Sequence, residues 1–314
     1  MLLVTGGTGF IGRSVLRRLT EDGYTVRTLL NPSQSSPDLP RGVSVDVTLA
    51  SLSDRRSVRA SLVGVKTVIH LDSAAGLLGT GKTLSMDVAG TRNIAEAAVD
   101  AGVNRLVFLS QLGADRASAY PAMRSMALAE EQLRRSGVQF TILRTTAIFG
   151  RQDRFTTSLA KMLAVSPLFF PIPGDGSTKL QPLWVEDLAT CIAWILDDNS
   201  TFGKTYEIGG PEYISFKQII SMIMQAASSP RILISTRPPY LRAGAWLMAR
   251  LMPMPPVTPL WLDYLAVDRT TDLNTLPREF SLQPSRMQEN LAYLGERNWG
   301  WDLITSQFSI RPRG

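Results

Sequence analysis

Apolar and polar positions alternate along the first half of the chain with two different periods. Short apolar runs of strand length are separated by segments whose apolar residues recur every three or four positions, as in amphipathic helices. The predicted strands are MLLVTG, YTVRTLL, KTVIHL, NRLVFLS and FTILRTTAIFG, and the predicted helices are RSVLRRLTEDG, DRRSVRASLVG, TRNIAEAAVDAG and SMALAEEQLRRSG. This alternation predicts an α/β fold with a doubly wound parallel sheet and helices on both faces.

The pattern changes after Gly150. The stretch PLFFPIPGDGSTKLQPLWVEDLA is rich in proline and glycine, after which DLATCIAWIL and KTYEIGG return to helix and strand. Beyond Pro230 the chain is rich in Pro, Met, Leu and Trp. We therefore predict a sheet domain over residues 1–150, to which residues 184–210 return, and a smaller discontinuous C-terminal lobe over residues 151–183 and 211–314.

Composition excludes several kinds of site. One cysteine, Cys191, rules out a disulfide framework and a Cys-rich zinc site. The single histidine, His70, rules out two-histidine metal motifs, and within the apolar strand KTVIHL we expect it to be a hydrogen-bonded core residue. We predict no metal site.

Charge and hydropathy bear on the expected partners and cellular compartment of the protein. The net charge is +6, but the arginines are spread along the chain, which favours a basic solvated surface over a nucleic-acid site. No apolar run is long enough to span a bilayer, and the opening MLLVTGG lacks a basic secretory leader. We expect a cytoplasmic protein, or one peripheral on the cytoplasmic face of a membrane.

A glycine-rich loop follows the first predicted strand and opens the first helix. In VTGGTGFIG, Gly6, Gly9 and Gly12 have G-x-x-G-x-x-G spacing. Glycines permit a tight turn and close approach to a pyrophosphate, and the helix N-terminus offers it N–H groups. The loop thus predicts a Rossmann-type dinucleotide site with contacts at Gly6, Thr8, Gly9, Phe10, Ile11 and Gly12.

The end of the second predicted strand bears on which dinucleotide binds. An acid there holds the ribose hydroxyls of NAD, whereas a cation accepts the additional phosphate of NADP. The segment here is LLNPSQSS, in which neutral Asn31 is followed by Ser33, Ser35 and Ser36. With no acid to repel a phosphate, this segment favours NADP slightly over NAD.

Several landmarks occur in the order found in one superfamily. They are TGGTGFIG, VIHL, DVAGTRNIAEAA, VFLS, ILRTTAIFG, QPLWVEDLA and GKTYEIGGPE. The chain resembles the extended and atypical short-chain dehydrogenase/reductases. Within them, GDGSTKLQPLWVEDLA and the C-terminal lobe are most similar to the nucleotide-binding accessory subunit of respiratory complex I and its bacterial relatives, with NmrA-like proteins as neighbours.

This resemblance implies roles for individual residues. Ser110 falls where the family has a serine that can hydrogen-bond a substrate carbonyl, and Ser51 where an acid usually contacts adenine. Asp87 replaces an asparagine found in many relatives, and Asp72 replaces a small residue near the phosphates, where an unpaired carboxylate would repel the pyrophosphate. The implied dinucleotide contacts outside the glycine loop are Asn31, Ser51, Leu71, Asp72, Ser73, Ser110 and Thr146.

The family's proton-transfer pair, a tyrosine and a lysine four residues on, has no direct counterpart. An alignment without gaps from Glu130 and Arg144 places Ala122 and Met126 at these positions, and neither titrates. A two-residue shift would instead use Tyr120 and Arg124, although Pro121 suits a helix start better than its interior, and an arginine would not pass protons on. Our candidate catalytic residues are Ser110, Tyr120 and Arg124, and we favour the alignment without gaps, in which the pair is eroded.

The segment Tyr240–Met252 leaves two interpretations open. It carries the apolar side chains of Trp246, Leu247, Met248, Leu251 and Met252 together with Arg242 and Arg250. These side chains either pack the C-terminal lobe onto the sheet domain, or form a basic, apolar surface that meets a membrane or a membrane-bound partner.

Three functions therefore remain. The first is an NAD(P)-dependent oxidoreductase acting on a small or quinone-like carbonyl compound, with Ser110 orienting the substrate. The second is a non-catalytic, nucleotide-holding accessory or assembly protein of a membrane redox complex. The third is a redox sensor that distinguishes the oxidised from the reduced cofactor.

Overall fold

The computed structural model describes residues 1–32, 39–71 and 81–308. The strands are β1 (Leu2–Thr5), β2 (Val26–Leu30), β3 (Asp46–Leu49), β4 (Thr67–His70), β5 (Arg105–Gln111), β6 (Phe140–Thr145), β7 (Ile148–Phe149), β8 (Phe169–Pro173), β9 (Lys179–Leu180), β10 (Leu183–Trp184), β11 (Thr205–Ile208), β12 (Ile214–Ser215) and β13 (Ile232–Thr236). The helices are α1 (Phe10–Glu21), α2 (Arg55–Ser61), α3 (Gly81–Asp100), α4 (Pro121–Ser136), α5 (Thr156–Val165), α6 (Val185–Asp197), α7 (Phe216–Ala226), α8 (Pro238–Leu251), α9 (Pro259–Tyr264), α10 (Thr275–Phe280) and α11 (Trp299–Phe308). Short 3-10 turns cover Asn199–Thr201, Gln288–Asn290 and Ala292–Gly295.

The described residues divide into two compact units. The first consists of Met1–Thr145, Val185–Ile208 and Asn274–Gln283, and the second of Thr146–Trp184, Gly209–Leu273 and the residues from Pro284 onward. The predicted lobe boundary differs at Asn274–Gln283, which the sequence analysis assigned to the smaller lobe. This segment joins the first unit because Phe280 of α10 packs edge-on against Tyr206 of β11, with ring centroids 5.1 Å apart.

The first unit is built on a parallel sheet, as predicted. Within the described ranges this sheet has seven strands in the order β11-β6-β5-β4-β1-β2-β3, and every neighbouring pair is parallel. The chain leaves β1 toward β2 on one side and returns to β4 on the other side. The strand order therefore reverses at β1 and β4, and the carboxyl ends of these strands form the switch point at which α/β folds bind ligands.

The central strands β1, β4 and β5 are buried along almost their whole length because helices cover both faces of the sheet. Leu106 and Phe108 of β5 are almost fully buried against Ile94 of α3 and Met126 and Leu133 of α4. α4 begins with Pro121 in its first turn and ends at Gly137, whose φ of 86° is left-handed. Proline suits a helix start and glycine suits its end, so both bounds follow from the sequence.

The second unit combines α5, α7, α8, α9 and α11 with three short strand pairs. β8 and β13 pair in parallel over five residues, and β7 pairs with β10 and β9 with β12 over two residues each. Its core contains Trp261 of α9, whose ring lies 6.4 Å from that of Phe155 and 5.7 Å from that of Phe216.

Candidate functional site

The turn between β1 and α1 is packed so closely that it leaves no space for a side chain at Gly7 or Gly12. Gly6 has a φ of 72°, and the amide of Gly9 donates to its carbonyl at 2.9 Å. A Cβ added at Gly12 would lie 2.1 Å from the Gly6 oxygen and 2.6 Å from the Gly7 Cα. A Cβ at Gly7 would meet Thr28 Oγ1 of β2 at 2.1 Å. The turn is thus held tightly between the start of α1 and β2.

The start of α1 is arranged to receive an anion. Gly9 is the N-cap residue, and among the described residues no side chain caps the helix and no acid occupies its first turn. The first N–H groups of a helix lack intrahelical acceptors and carry its positive dipole end. Phe10, Ile11 and Gly12 supply these groups beside the switch point, so the turn fits a dinucleotide pyrophosphate.

Arg13 adds a cation that the sequence analysis did not single out. Its Nη1 donates to the carbonyl of Thr8 at 2.7 Å, which holds the guanidinium against the glycine turn. The motif spacing gives no sign of this contact, because it depends on the side chain folding back from the first turn of α1. The cation lies at the element predicted to meet the phosphates.

The other predicted contacts follow the ends of neighbouring strands. Asn31 is exposed directly after β2, and Leu71 is buried directly after β4. Ser51 follows β3, and its hydroxyl lies 2.8 Å from that of Ser53. Carboxyl ends of parallel strands share one edge of a sheet, so these residues lie along the edge that carries the glycine turn. Ser33, Ser35, Ser36, Asp72 and Ser73 lie outside the described residues.

Thr146 belongs to the second unit. Its hydroxyl donates to the carbonyl of Gln181, and Gln181 in turn donates to the carbonyl of Gly210 at 2.7 Å. The structure thus gives Thr146 a bonded partner within its own unit, and the dinucleotide contact implied by the resemblance stays a prediction.

Ser110 belongs to a buried ionic network. Its hydroxyl donates to Glu130 Oε1 at 2.6 Å. Arg144 donates to both oxygens of the same carboxylate, at 2.9 Å and 2.8 Å, and also to Glu207 at 3.3 Å. The hydrogen bond to Glu130 is the main reason that the pKa of Arg144 is raised. A substrate carbonyl would therefore compete with Glu130 for the Ser110 hydroxyl.

This network fixes the position of α4 along the strands. Glu130 contacts Ser110 and Arg144, the penultimate residues of β5 and β6. Because a helix rises about 1.5 Å per residue, Met126 lies roughly 6 Å nearer the helix start, and Ala122 lies a further turn beyond it. Both side chains are buried and apolar. α4 runs back from the carboxyl edge of the sheet, so these two positions lie nearer that edge than Glu130 does.

Tyr120 and Arg124 are arranged differently from a pair on one helix face. Tyr120 is the N-cap residue of α4, with an extended φ of −93° and ψ of 120°, and it packs partly buried against the core. Arg124 is exposed, and its Nη1 donates to the carbonyl of Ser118 at 3.0 Å. The guanidinium therefore closes the turn before the helix.

His70 is a neutral core residue, as predicted. Its Nδ1 lies 2.6 Å from Thr5 Oγ1 and its Nε2 3.2 Å from Thr91 Oγ1, and its ring stacks on Phe108. Thr91 donates its own proton to the Asp87 carbonyl, so Nε2 is the protonated nitrogen and Nδ1 accepts from Thr5. Burial lowers the pKa of His70 to about 4. Within the described residues, no group of His, Cys, Asp or Glu side chains is placed to hold a metal ion.

Comparison with known proteins agrees with this geometry. A family described as NAD(P)H-binding matches residues 6–161. The chain is 31% identical over 233 residues to the mitochondrial NADH dehydrogenase (ubiquinone) 1 alpha subcomplex subunit 9 of Arabidopsis thaliana, covering 70% of this chain and 56% of that protein. It is 27% identical over 317 residues to the 2-alkyl-3-oxoalkanoate reductase of Stenotrophomonas maltophilia, covering 90% and 94%.

A solved structure shows the same fold. The UDP-glucose 4-epimerase of Thermus thermophilus, in complex with NAD, superimposes with a TM-score of 0.71 at 21% identity, covering 95% of this chain and 99% of the epimerase. With the glycine turn at the switch point, these likenesses confirm the predicted nicotinamide dinucleotide binding and the predicted fold. Residues 6–161 therefore belong to the NAD(P)H-binding family, and the chain is similar to the atypical short-chain dehydrogenase/reductases.

Proposed function

We propose that this protein is a slow NAD(P)-dependent reductase of a small or quinone-like carbonyl compound. The observation that carries the proposal is the closed glycine turn at the switch point, with the uncapped start of α1 beside it. The nicotinamide supplies the hydride when the dinucleotide is bound. The chain itself would hold the phosphates at Gly6–Gly12 and position the nicotinamide and the substrate carbonyl at the edge of the sheet.

The same turn provides the first test of this proposal. Gly9→Asp would place a carboxylate where the phosphates are expected, so we expect calorimetry to show no dinucleotide binding by this variant. Its unfolding in urea should stay close to that of the wild type, since among the described residues a Cβ at residue 9 would meet only the Gly6 oxygen, at 3.1 Å. If the wild type itself shows no heat with millimolar NADH or NADPH, the proposed function is wrong.

Arg13 supports a preference for NADP. Its guanidinium is held at the glycine turn, and Asn31 after β2 carries no charge that would repel a 2′-phosphate. We expect NADPH to bind more tightly than NADH, and Arg13→Gln to reduce this difference. If the two dinucleotides bind equally to the wild type, or if Arg13→Gln leaves their ratio unchanged, the preference does not come from this residue.

The proposed slowness comes from Ala122 and Met126. In the alignment anchored by Glu130 and Arg144, they occupy the positions of the proton-transferring pair, and neither side chain holds a proton that it could transfer. General acid catalysis typically contributes 10²–10⁴-fold, so we expect turnover to be slower by about that factor than with an intact pair.

Reintroducing the pair tests this directly. Ala122→Tyr combined with Met126→Lys should tighten dinucleotide binding, because an ammonium gains the ribose hydroxyls, and should raise the rate of carbonyl reduction. Leu128→Lys is the matched control, since it adds the same charge on the exposed side of α4. Tyr120→Phe should leave binding and rate unchanged. A large loss of rate in Tyr120→Phe would instead make Tyr120 and Arg124 the working pair.

A second candidate function rests on the surface of α8. In this helix only Ala245 is buried, whereas Tyr240, Trp246 and Leu251 are 70%, 59% and 71% exposed. The exposure of these three side chains favours the surface interpretation of the segment over the packing interpretation. Arg250 lies over the Trp246 ring at 5.9 Å, which places a cation beside the apolar surface. These features support an accessory protein that holds a nucleotide at a membrane redox complex.

Vesicle binding separates the two candidates. None of the helices that the structure describes is long and apolar enough to cross a bilayer, so α8 would lie at the surface. We expect the protein to sediment with anionic vesicles at low salt and to be released at high salt, since salt screens the attraction of basic side chains. Replacing Trp246 and Leu251 by Ser should abolish this binding. Equal sedimentation with neutral and anionic vesicles, or none with either, would exclude this role.

A further inference from the structure

A cluster of cations surrounds a cleft in the second unit. The cleft has a volume of about 200 Å³. Its walls include four cationic side chains, Arg151, Arg154, Lys161 and Arg297, together with Trp299. They come from the turn before α5, from α5 itself, and from the segment at the start of α11. We call this feature the basic cleft.

The acids of the basic cleft are already engaged. Asp153 is buried and accepts from the amides of Gly150 and Thr156, at 2.8 Å and 2.7 Å, and from the hydroxyl of Thr156 at 2.7 Å. Tyr293 also reaches it at 3.2 Å. These bonds fix the turn before α5 and occupy the acceptor positions of the carboxylate, so it forms no ion pair with the cations of the cleft among the described residues.

Two of the four cations have acidic partners. Arg151 donates twice to Glu296, at 2.5 Å and 2.6 Å, and Arg297 lies 3.5 Å from Asp302. Among the residues that the structure describes, neither Arg154 nor Lys161 is within ion-pair distance of an acid. Burial lowers the pKa of Lys161, and Arg297 and Arg154 lower it further against the pull of Asp302. The like charges thus repel one another around an open space.

We propose that the basic cleft binds a phosphate group, held by Lys161, Arg154 and Arg297. Guanidinium and ammonium groups form charge-assisted hydrogen bonds with phosphate oxygens, and arginine matches phosphate geometry with two parallel bonds. A volume several times the roughly 30 Å³ of a water molecule admits a phosphate with a small organic part. The residues of this site all belong to the second unit, whereas the glycine turn belongs to the first.

The test uses inorganic phosphate and the full chain. Phosphate should raise the melting temperature above that in chloride of equal ionic strength, because a ligand of the folded state stabilises it. Lys161→Met and Arg154→Gln should each weaken phosphate binding by roughly tenfold or more, the effect of removing one hydrogen bond to a charged group. Arg286→Gln, which removes an exposed cation of the same unit outside the cleft, should bind as the wild type does.

Two further measurements remove alternative explanations. The titration is repeated with the Gly9→Asp chain, which disables the glycine turn and should keep the phosphate response. Lys161→Met should be at least as stable as the wild type in chloride, because it removes a desolvated ammonium from among like charges. If the wild type responds to phosphate no more than to chloride, or if Lys161→Met and Arg154→Gln respond as the wild type does, the proposal is wrong.

Vesicles distinguish a lipid headgroup from a free phosphorylated molecule. Phosphatidic acid vesicles are compared with phosphatidylcholine vesicles, with and without competing inorganic phosphate. Binding to phosphatidic acid that is lost in Lys161→Met and released by phosphate assigns the cleft to a headgroup. Vesicle binding that is the same in Lys161→Met and the wild type, combined with weaker binding of free phosphate by the variant, assigns it to a soluble ligand.

Discussion

Alanine substitutions at Gly12 and Gly9 separate the packing of the glycine turn from its contact with a ligand. A Cβ at residue 12 would lie 2.1 Å from the Gly6 oxygen and 2.6 Å from the Gly7 Cα, whereas ordinary contact begins at 3.4 Å. Both neighbours are backbone atoms, so no side chain can rotate away. A Cβ at residue 9 would lie 3.1 Å from the Gly6 oxygen, and the φ of −72° there is ordinary for alanine.

These distances give different expectations for the two variants. Overpacking a closed site typically costs about 1–3 kcal/mol, so Gly12→Ala should lower the free energy of unfolding by that amount. It should also weaken dinucleotide binding by roughly tenfold to a hundredfold, because moving the turn sacrifices at least one N–H bond to a charged phosphate. Gly9→Ala should leave the unfolding free energy almost unchanged and still weaken binding, since the second glycine lets the backbone approach the pyrophosphate.

Urea unfolding without ligand and calorimetry with NADPH measure both quantities on the same preparations. If Gly12→Ala unfolds at the wild-type urea concentration, the turn is not packed as described. If Gly9→Ala binds NADPH as the wild type does, the pyrophosphate does not lie over this turn.

Three further predictions concern buried polar groups. The pKa of His70 is about 4 in the folded state and about 6.5 in the unfolded state, so on acidification the unfolded state binds the extra proton. The free energy of unfolding should therefore fall by about 2 kcal/mol between pH 7.5 and pH 5. His70→Asn should remove this part of the pH dependence of the urea midpoint. Glu130→Leu should cost about 3 kcal/mol, because Ser110 loses its acceptor and Arg144 keeps only the more exposed Glu207 as a partner. Glu131→Gln breaks only partly exposed pairs with Arg116 and Arg135 and should cost less than about 1 kcal/mol in the same assay. Asp153→Asn should lower the unfolding free energy by about 1–3 kcal/mol, because an amide cannot accept hydrogen bonds from all of the donors in the turn before α5. An unchanged urea midpoint would show that this turn does not depend on the carboxylate.

The features that the sequence predicts are those set by local pattern. Fully buried strands of a parallel sheet are continuous apolar runs, and the helices between them carry one apolar face, so β1, β2, β4, β5 and β6 are all predicted from the pattern. β3 is missing from the strands predicted by pattern because it lies at the edge of the sheet, where Val47 and Leu49 are exposed and Asp46 pairs with Arg27. An edge strand with a solvated face has no continuous apolar run to recognise.

Contacts between residues that are far apart in the chain could not be predicted from the sequence. The partner of Ser110 is Glu130, and this contact exists only because α4 packs against the ends of β5 and β6. The basic cleft joins Arg154 and Lys161 to Arg297, which lies more than a hundred residues later in the chain. α10 returns to the first unit through the contact of Phe280 with Tyr206. None of these contacts produces a periodic pattern of apolar residues in the sequence, because each involves only one or two side chains.

The region around α4 fits the proposal that the framework of the fold is kept while the proton-transferring pair is lost. Glu130, Arg144 and Ser110 form a buried network, and the loss of any member would leave a desolvated charge or hydroxyl, so stability alone retains these residues. Replacing the tyrosine and lysine that the family has one and two helical turns before Glu130 carries no such cost in stability. Ala122 and Met126 bury apolar atoms at these positions, which favours folding. A chain freed from proton transfer would therefore be expected to lose the pair and to keep the network, and the combination of an intact glycine turn, an intact Glu130 network and apolar residues at 122 and 126 matches that expectation.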